Sequence, residues 1–421
     1  MKQYRPLLLS YCFVAGFVLL AVDVYCQKSH LTAGAAAVNI TPSAPVPMSG
    51  YASRGLPSTG VHDSLFVRAF VFDDGKTKAC FIQADLIGFS FEFVDEISGE
   101  IEKKTGIPKQ NVMLVAAHNH GAPSTRVYNE EPTDNLKEYL IMLKSKLVEA
   151  VTIAYNHKVE ATVGIGKGKC TMNINRRARH AEGGIWLGRN PDGPCDHDVD
   201  VARIDDKKGN TIGLIVNWPC HATAGGQENS LITGDWPGSA ARYVDKNFKP
   251  GIPVGITAGA SGDINPIYGP GKDFNEINAI GLVLGEEIVS VARKISMEES
   301  GSITCVREDI EVPGKERSAS RMPNEKIVPG NPTKLRFSVV KIGPLVLAGI
   351  SGELMTTIGM KIKQQSPLKN TVVVTHCNGS SGYLCTDAAY IEGGYEPMVS
   401  RTMPGVEKII VDHMIALLKK I

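Results

Sequence analysis

Five short apolar runs in this chain pass straight into polar clusters, with no spacer between. Val112–Ala117 leads into His118-Asn119-His120-Gly121, and Thr211–Asn217 into Trp218-Pro219-Cys220-His221. Val254–Thr257 leads into Ala258-Gly259-Ala260-Ser261-Gly262-Asp263-Ile264-Asn265-Pro266. Leu345–Ile350 leads into Ser351-Gly352-Glu353, and Thr371–Thr375 into a loop holding His376, Asn378 and Tyr383. In α/β sheets, ligands and reactive groups gather at the carboxyl ends of strands. If the five runs share one sheet, His118, His120, His221, Asp263, Glu353 and Tyr383 converge at one edge. The glycines among them permit close approach of the backbone.

Further strand-like runs at Leu65–Phe72 and Lys78–Asp85 alternate with helical patterns. One helix is expected from about Asn135 to Ala154, with Asp134 as N-cap and one stripe through Leu136, Leu140, Leu143, Leu147 and Val151. Others are expected from about Asn275 to Lys294 and from about Val406 to Lys420. The alternation predicts an α/β fold: a mixed β-sheet core flanked by helices, with the site at the carboxyl ends of strands. The charged, Pro-rich stretch from Glu308 to Pro332 reads as a surface excursion inside one domain. Gly164-Ile165-Gly166-Lys167-Gly168-Lys169 lacks the spacing of a phosphate-binding loop and reads as a turn. No internal repeat or low-complexity tract appears.

Of the 421 residues 43% are apolar, enough for a sizeable core, which excludes a wholly disordered chain. With 45 basic residues against 44 acidic, no field of one sign covers the protein. That excludes nucleic-acid binding and a polybasic membrane surface.

Lys2 and Arg5 precede an apolar run from Leu7 to about Tyr25, the pattern of an export signal ending near Cys26. Asp23 weakens the alternative of an uncleaved anchor, and Val24-Tyr25 before Cys26 fits a lipoprotein signal poorly. The expectation is a signal over 1–26, no stable membrane span in the mature chain, and a secreted or periplasmic location. Beyond the signal lie seven cysteines, an odd number, with no CxxC. Cys377 and Cys385 are close enough in sequence to bridge a loop.

His-x-His at a strand end is a moderately specific metal signal, since both side chains of an extended segment project to one side. Imidazole suits zinc, and a carboxylate commonly completes the set. The plain alternative is a pair of hydrogen-bonded surface histidines. Glu353 follows an entirely apolar strand, where an unpaired carboxylate is costly, so a cation partner is expected. Asn173-Ile174-Asn175-Arg176, with Arg177 and Arg179, is either a solvated basic loop or the source of an arginine for a carboxylate, phosphate or oxyanion.

Taken in order, these residues resemble the neutral ceramidase family. Val38-Asn39-Ile40-Thr41-Pro42 with Met48-Ser49-Gly50-Tyr51 is similar to its opening, and Val61-His62-Asp63-Ser64-Leu65 with Arg68-Ala69 to its next block. His118-Asn119-His120-Gly121-Ala122-Pro123, Asn173-Ile174-Asn175-Arg176, His221, Gly262-Asp263, Gly352-Glu353 and Ser381-Gly382-Tyr383 follow in family order. Each motif alone is weak; the ordered series is strong. The resemblance implies one zinc held by His118, His221, Glu353 and Tyr383, with a zinc-bound water attacking an amide carbonyl. It implies that His120 and Arg176 act on the substrate, with Asp263 and Asn265 in the same reactive block.

The sequence departs from the family in two places. Asn265 stands where the family has Ser, and an amide cannot replace a hydroxyl as nucleophile or proton donor, although it can hold a substrate group. The family also carries a carboxyl-terminal β-sandwich, whereas 27–421 reads as the catalytic domain alone. Both departures point away from long-chain ceramide, toward a small-molecule, lipid or glycan substrate. The leading expectation is a zinc-dependent amidase of ceramidase type. Alternatives are an esterase or lactonase on the same scaffold, a catalytically silent metal-containing binding protein, and an amidohydrolase-type barrel. That barrel usually opens with its HxH on the first strand, and here several strands precede it.

Overall fold

Two β-sheets lie face to face in the computed structural model, which describes residues 30–125, 131–271, 273–298 and 301–421. The expected signal over 1–26, with Cys26, lies outside the described residues. The larger sheet runs β12 (Val254–Thr257), β10 (Thr211–Asn217), β9 (Asp198–Asp206), β6 (Val159–Lys169), β1 (Thr32–Asn39), β3 (Phe66–Asp73), β4 (Lys78–Ala84) and β5 (Val112–Ala116). Its two outermost pairs, β10–β12 and β4–β5, are parallel and the others antiparallel. The smaller sheet runs β14 (Ile303–Lys315), β15 (Pro329–Ile342), β16 (Leu345–Ile350) and β18 (Thr371–Val374), with β16 and β18 parallel.

Phe70, Phe81, Met113 and Ile215 of the larger sheet interlock with Leu347 and Val374 of the smaller. Helices α1 (Phe91–Thr105) and α2 (Asp134–Asn156) cover half of the larger sheet's outer face, against Val67 and Ile82. Helices α3 (Asp235–Asn247) and α4 (Asn275–Lys294) cover the other half, against Leu214 and Ile256. On the outside of the smaller sheet, α5 (Thr356–Gln365) and α8 (Val406–Leu418) pack on Val339 and Ala348. The result is four layers, helix–sheet–sheet–helix: an α/β fold with a mixed sheet flanked by helices. Each fully buried Leu, Ile, Val or Phe in these layers contributes roughly 1.5–3 kcal/mol of burial.

The five apolar runs do not share one sheet. β5, β10 and β12 belong to the larger and β16 and β18 to the smaller. Their carboxyl ends still meet, because the segment after β18 joins the free edge of β5. Asn378 there takes a left-handed φ of 57°. Its backbone N–H donates to Leu114 O at 2.8 Å, and its side-chain oxygen accepts from Leu114 N at 2.8 Å. The remaining short strands build the site. β13 (Ile264–Pro266) pairs with β7 (Asn173–Arg179), which pairs with β8 (Ile185–Asn190). β17 (Glu353–Leu354) pairs with β19 (Tyr383–Leu384), and β2 (Gly60–Val61) with β11 (Leu231–Ile232). Two short helices, α6 (Asp387–Glu392) and α7 (Tyr395–Val399), follow β19.

Several expectations are corrected. Gly164–Lys169 is not a turn but the second half of β6. Gly164, Gly166 and Gly168 alternate on one face, where a Cβ would strike Ile295, Val291 and Glu287, so glycine here admits α4 and the segment that follows it. Glu308–Lys315 is strand, not excursion: β14 is an edge strand with a half-exposed face and therefore reads as polar. Only 316–328 is loop. The α2 N-cap is Thr133, whose hydroxyl accepts from Leu136 N, and not Asp134. Cys377 sits between the sheets and Cys385 beneath α5 and α8; both are free thiols, so no bridge closes that loop. Among the described residues no helix is long and apolar enough to cross a membrane.

Candidate active site

Just beyond β5 the backbone of His118 adopts a left-handed φ of 56°. His118 Nδ1 donates to the carbonyl of Ile87 at 3.0 Å. His221, beyond β10, donates from Nδ1 to the carbonyls of Ser261 at 2.7 Å and Ile264 at 3.1 Å. Each ring therefore presents an Nε2 lone pair, fixed by main-chain carbonyls, as metal-ligating histidines are. Both Nε2 atoms lie 3.3 Å from the same atom, Oε2 of Glu353. That oxygen is buried and has no hydrogen-bond donor among the described residues. Three lone-pair-bearing atoms aimed at one point repel one another unless a cation stands between them. The donor set of two imidazoles and a carboxylate fits zinc.

His120 comes to the same place by a different route. Its Nε2 is 3.3 Å from that of His118, and the ring nitrogens of His118, His120 and His221 lie within 4.8 Å of one another. Its Nδ1 has no hydrogen-bond partner among the described residues, so no carbonyl fixes its tautomer. The ring is held by shape instead: Tyr51 meets it edge-on at 5.1 Å, and Gly50 lies against it. Arg54 donates to the His120 carbonyl at 2.8 Å. Burial, with help from His118 and His221, holds the His120 pKa well below its usual value. Burial and Arg176 bring His221 down to about 4. Both shifts favour the neutral imidazole that ligates metals.

Arg176 lies in β7, and its fork spans the site. Nε donates to Glu396 Oε1 at 2.8 Å, and Nη2 donates to the Tyr383 hydroxyl at 3.0 Å. Nη1 reaches Asn265 Oδ1 at 3.3 Å and His221 Nε2 at 3.2 Å. Asn265 is placed by the β7–β13 register opposite Ile174, and Tyr383 by the β17–β19 register opposite Glu353. Burial lifts the Tyr383 phenol well above its usual pKa, Glu353 adds to this and Arg176 opposes it.

Seven of the expected residues are thus brought together: His118, His120, His221, Glu353, Tyr383, Arg176 and Asn265. Asp263 is not. Its carboxylate accepts from Thr356 N at 2.7 Å and from the Asn175 side-chain amide at 3.2 Å, away from the imidazoles. Through its own carbonyl it receives Arg176 N at 2.8 Å, so it fixes the strand that carries Arg176.

Sequence reasoning missed Glu396 as a site residue. It is fully buried between Arg176 and Arg177, each 2.8 Å from one of its oxygens. The sequence marks it only by the irregular Gly393-Gly394-Tyr395 before it. His376, stacked on His118 with centroids 3.8 Å apart, was visible only as a loop residue.

Over residues 31–266 the chain matches the family described as neutral/alkaline non-lysosomal ceramidase, N-terminal. It is 26% identical over 283 residues to the neutral ceramidase of Drosophila pseudoobscura pseudoobscura, covering 61% of this chain and 39% of that protein. To the neutral ceramidase of Pseudomonas aeruginosa it is 22% identical over 505 residues, covering 96% of this chain and 75% of that protein. It therefore spans about two fifths of the length of the Drosophila relatives. The solved structure titled "Ceramidase complexed with C2" superposes with a TM-score of 0.79 at 18% identity, over 93% of this chain and 76% of that one. The crystal structure of the Pseudomonas aeruginosa enzyme gives 0.77 at 19% identity, over 93% and 75%. At these identities the likeness establishes the fold.

Proposed function

The chain belongs to the neutral/alkaline non-lysosomal ceramidase family, and from that premise we propose that it is an exported, zinc-dependent hydrolase of N-acyl amides. The observation that carries this reading is the meeting of His118 Nε2, His221 Nε2 and the donorless Glu353 Oε2. These three residues would hold the ion, with Tyr383 beside Glu353 as a fourth ligand. Zinc, when bound, supplies Lewis acidity that lowers the pKa of a water and polarises a carbonyl.

The chain's own residues do the rest. His120 is partly exposed, neutral and untethered at Nδ1, so it can take a proton from the attacking water and deliver it to the leaving nitrogen. Arg176 offers a rigid fork to charge that develops on the carbonyl oxygen. Asn265 accepts from Arg176 and orients that fork. The export signal over 1–26 and a catalytic unit over 27–421 belong to the same proposal.

The test is zinc content and turnover measured together. Purified protein should carry about one tightly held zinc per chain, since three or four protein ligands define a catalytic site. It should cleave some member of a panel of short and long N-acyl compounds that includes ceramides. His118→Ala and Glu353→Ala should each lose both properties. Undiminished zinc in both variants would overturn the ligand assignment.

A further inference from the structure

Four arginines surround the candidate site from three sides without a carboxylate partner, and we infer from them that the substrate carries an anionic group outside its acyl chain. This rests on the hydrolase reading and names the class of substrate within it. On the His120 side stands Arg54, whose guanidinium donates to the carbonyls of Ser49, His120, Gly226 and Gln227 and lies 4.9 Å over the Tyr51 ring. On the Asn265 side stands Arg189, which donates to the carbonyls of Ile267 and Gly269 just beyond Pro266. On the Tyr383 side stand Arg317 and Arg321. The Arg321 guanidinium lies 5.4 Å over the Tyr395 ring, and Tyr395 meets Tyr383 edge-on at 5.7 Å. Arg317 is an electrostatic neighbour of that same phenol.

Among the described residues none of the four has an acidic oxygen within 4 Å, although Glu228 and Glu316 occupy the same loops. The deeper arginines differ: Arg68, Arg176, Arg177, Arg203 and Arg336 each hold a carboxylate. Arg293 on α4, Arg307 on β14 and Arg401 after α7 also lack an acidic oxygen within 4 Å among the described residues, whereas these four stand beside residues of the site in a chain whose total is only +1. Positive charge lining a cleft raises the local concentration of an anionic ligand. The four arginines divide the work. Arg54 and Arg189 spend their donors on loops and contribute potential. The guanidinium groups of Arg317 and Arg321 donate no hydrogen bond among the described residues and keep free forks, which match the paired oxygens of a carboxylate, sulfonate or phosphate. A neutral head group that offers only hydroxyls would use none of this.

The experiment compares dodecanoyl amides of one acyl chain and four amines: ethanolamine, β-alanine, taurine and O-phosphoethanolamine. In zinc-loaded wild type, kcat/KM for at least one anionic amide should exceed that of the ethanolamide by about 10- to 100-fold, the value of a charge-assisted contact. The ratio should fall toward one in the Arg317→Gln/Arg321→Gln double variant and with added salt. The arm that wins identifies the anion. A binding arm uses metal-free protein and fluorescent versions of the same amides, read by anisotropy, with thermal melting to verify that the variant is folded. Equal affinity for neutral and anionic probes, or equal turnover, would overturn the inference. Anion-selective binding with no turnover of any amide would instead overturn the hydrolase reading and leave this one standing.

Discussion

Arg176 and Glu396 form a wholly buried ion pair at 2.8 Å, and the same carboxylate holds Arg177 at 2.8 Å with its other oxygen. Removing one partner of such a set leaves charge buried without compensation, which typically costs about 3–5 kcal/mol. Glu396→Ala should therefore lower the melting temperature by many degrees. Glu396→Gln keeps the shape and should retain more stability. Arg176→Lys fills the space but loses the fork that reaches Tyr383 and Asn265 at once. It should keep zinc and lose turnover by an order of magnitude or more, in measurements of metal content and rate on one preparation. Normal kinetics in Arg176→Lys would return β7 to a structural role.

Glu396 also shows where sequence reading stops. Arg176 was legible because it ends an ordered motif, but its partner lies 220 residues further on, and nothing local marks it as buried. β10, β12 and β16 were legible to the residue, since each is a short, largely apolar run with a polar or glycine-rich cluster directly after it. That the five runs divide between two sheets was not legible, because a polar cluster at a strand's end looks the same in either. The glycines of β6 resemble a turn until α4 is seen to lie on them. β14 resembles a loop because an edge strand needs little apolar surface. The residues that meet at the site were visible as types; Asp263 shows that order along the chain does not tell a group at the reactive centre from one that props the strand beside it.

The three imidazoles should separate in their dependence on metal. His118 and His221 have Nδ1 tied to carbonyls and Nε2 aimed at Glu353, whereas the His120 Nδ1 is untied. His120→Asn should keep most of the zinc and lose turnover, while His221→Asn should lose both. Tyr383→Phe should weaken zinc binding less than His118→Ala, because a phenol ligates only when the metal lowers its pKa. Competition with a chelator of known affinity reads all four variants. Zinc loss in His120→Asn equal to that in His118→Ala would make His120 a ligand.

Asp263 carries a pH dependence of known sign. Burial, with Glu396, pushes its pKa up to about 6 from 3.8, while the Thr356 N–H, Arg176 and Arg177 pull the other way. Between those values the folded state binds more protons than the unfolded state. The stabilising contribution is therefore complete below about pH 4 and is lost as the pH rises through 6. Asp263→Asn removes the titration. Urea unfolding of metal-free protein at half-unit steps from pH 4 to 7 should show wild type losing stability relative to the variant over that window. A constant difference would assign the titration elsewhere, with Asp235, pushed to about 6 by its own burial, as the next group to change.

Of the three imidazoles His118, His120 and His221, Gly50 controls the one that no carbonyl holds among the described residues. Its φ is 100°, a region that L side chains rarely adopt, and a Cβ there would lie 2.3 Å from His120 Nδ1 and 2.8 Å from its Cβ. Gly50→Ala thus adds backbone strain of about 1–3 kcal/mol and displaces the His120 ring. The ring cannot yield inward, because the His118 ring stands edge-on to it with centroids 4.8 Å apart. It must rotate outward, past Tyr51. Zinc should remain, since His118, His221 and Glu353 are not touched, while kcat should fall by about 10²-fold for a misplaced proton-transfer group. Tyr51→Ala removes the edge contact and opens the outward path without strain, so it should lower kcat less than Gly50→Ala. Metal content, melting temperature and kcat of the two variants decide the matter. Full activity in Gly50→Ala would show that His120 does not need the position it holds here.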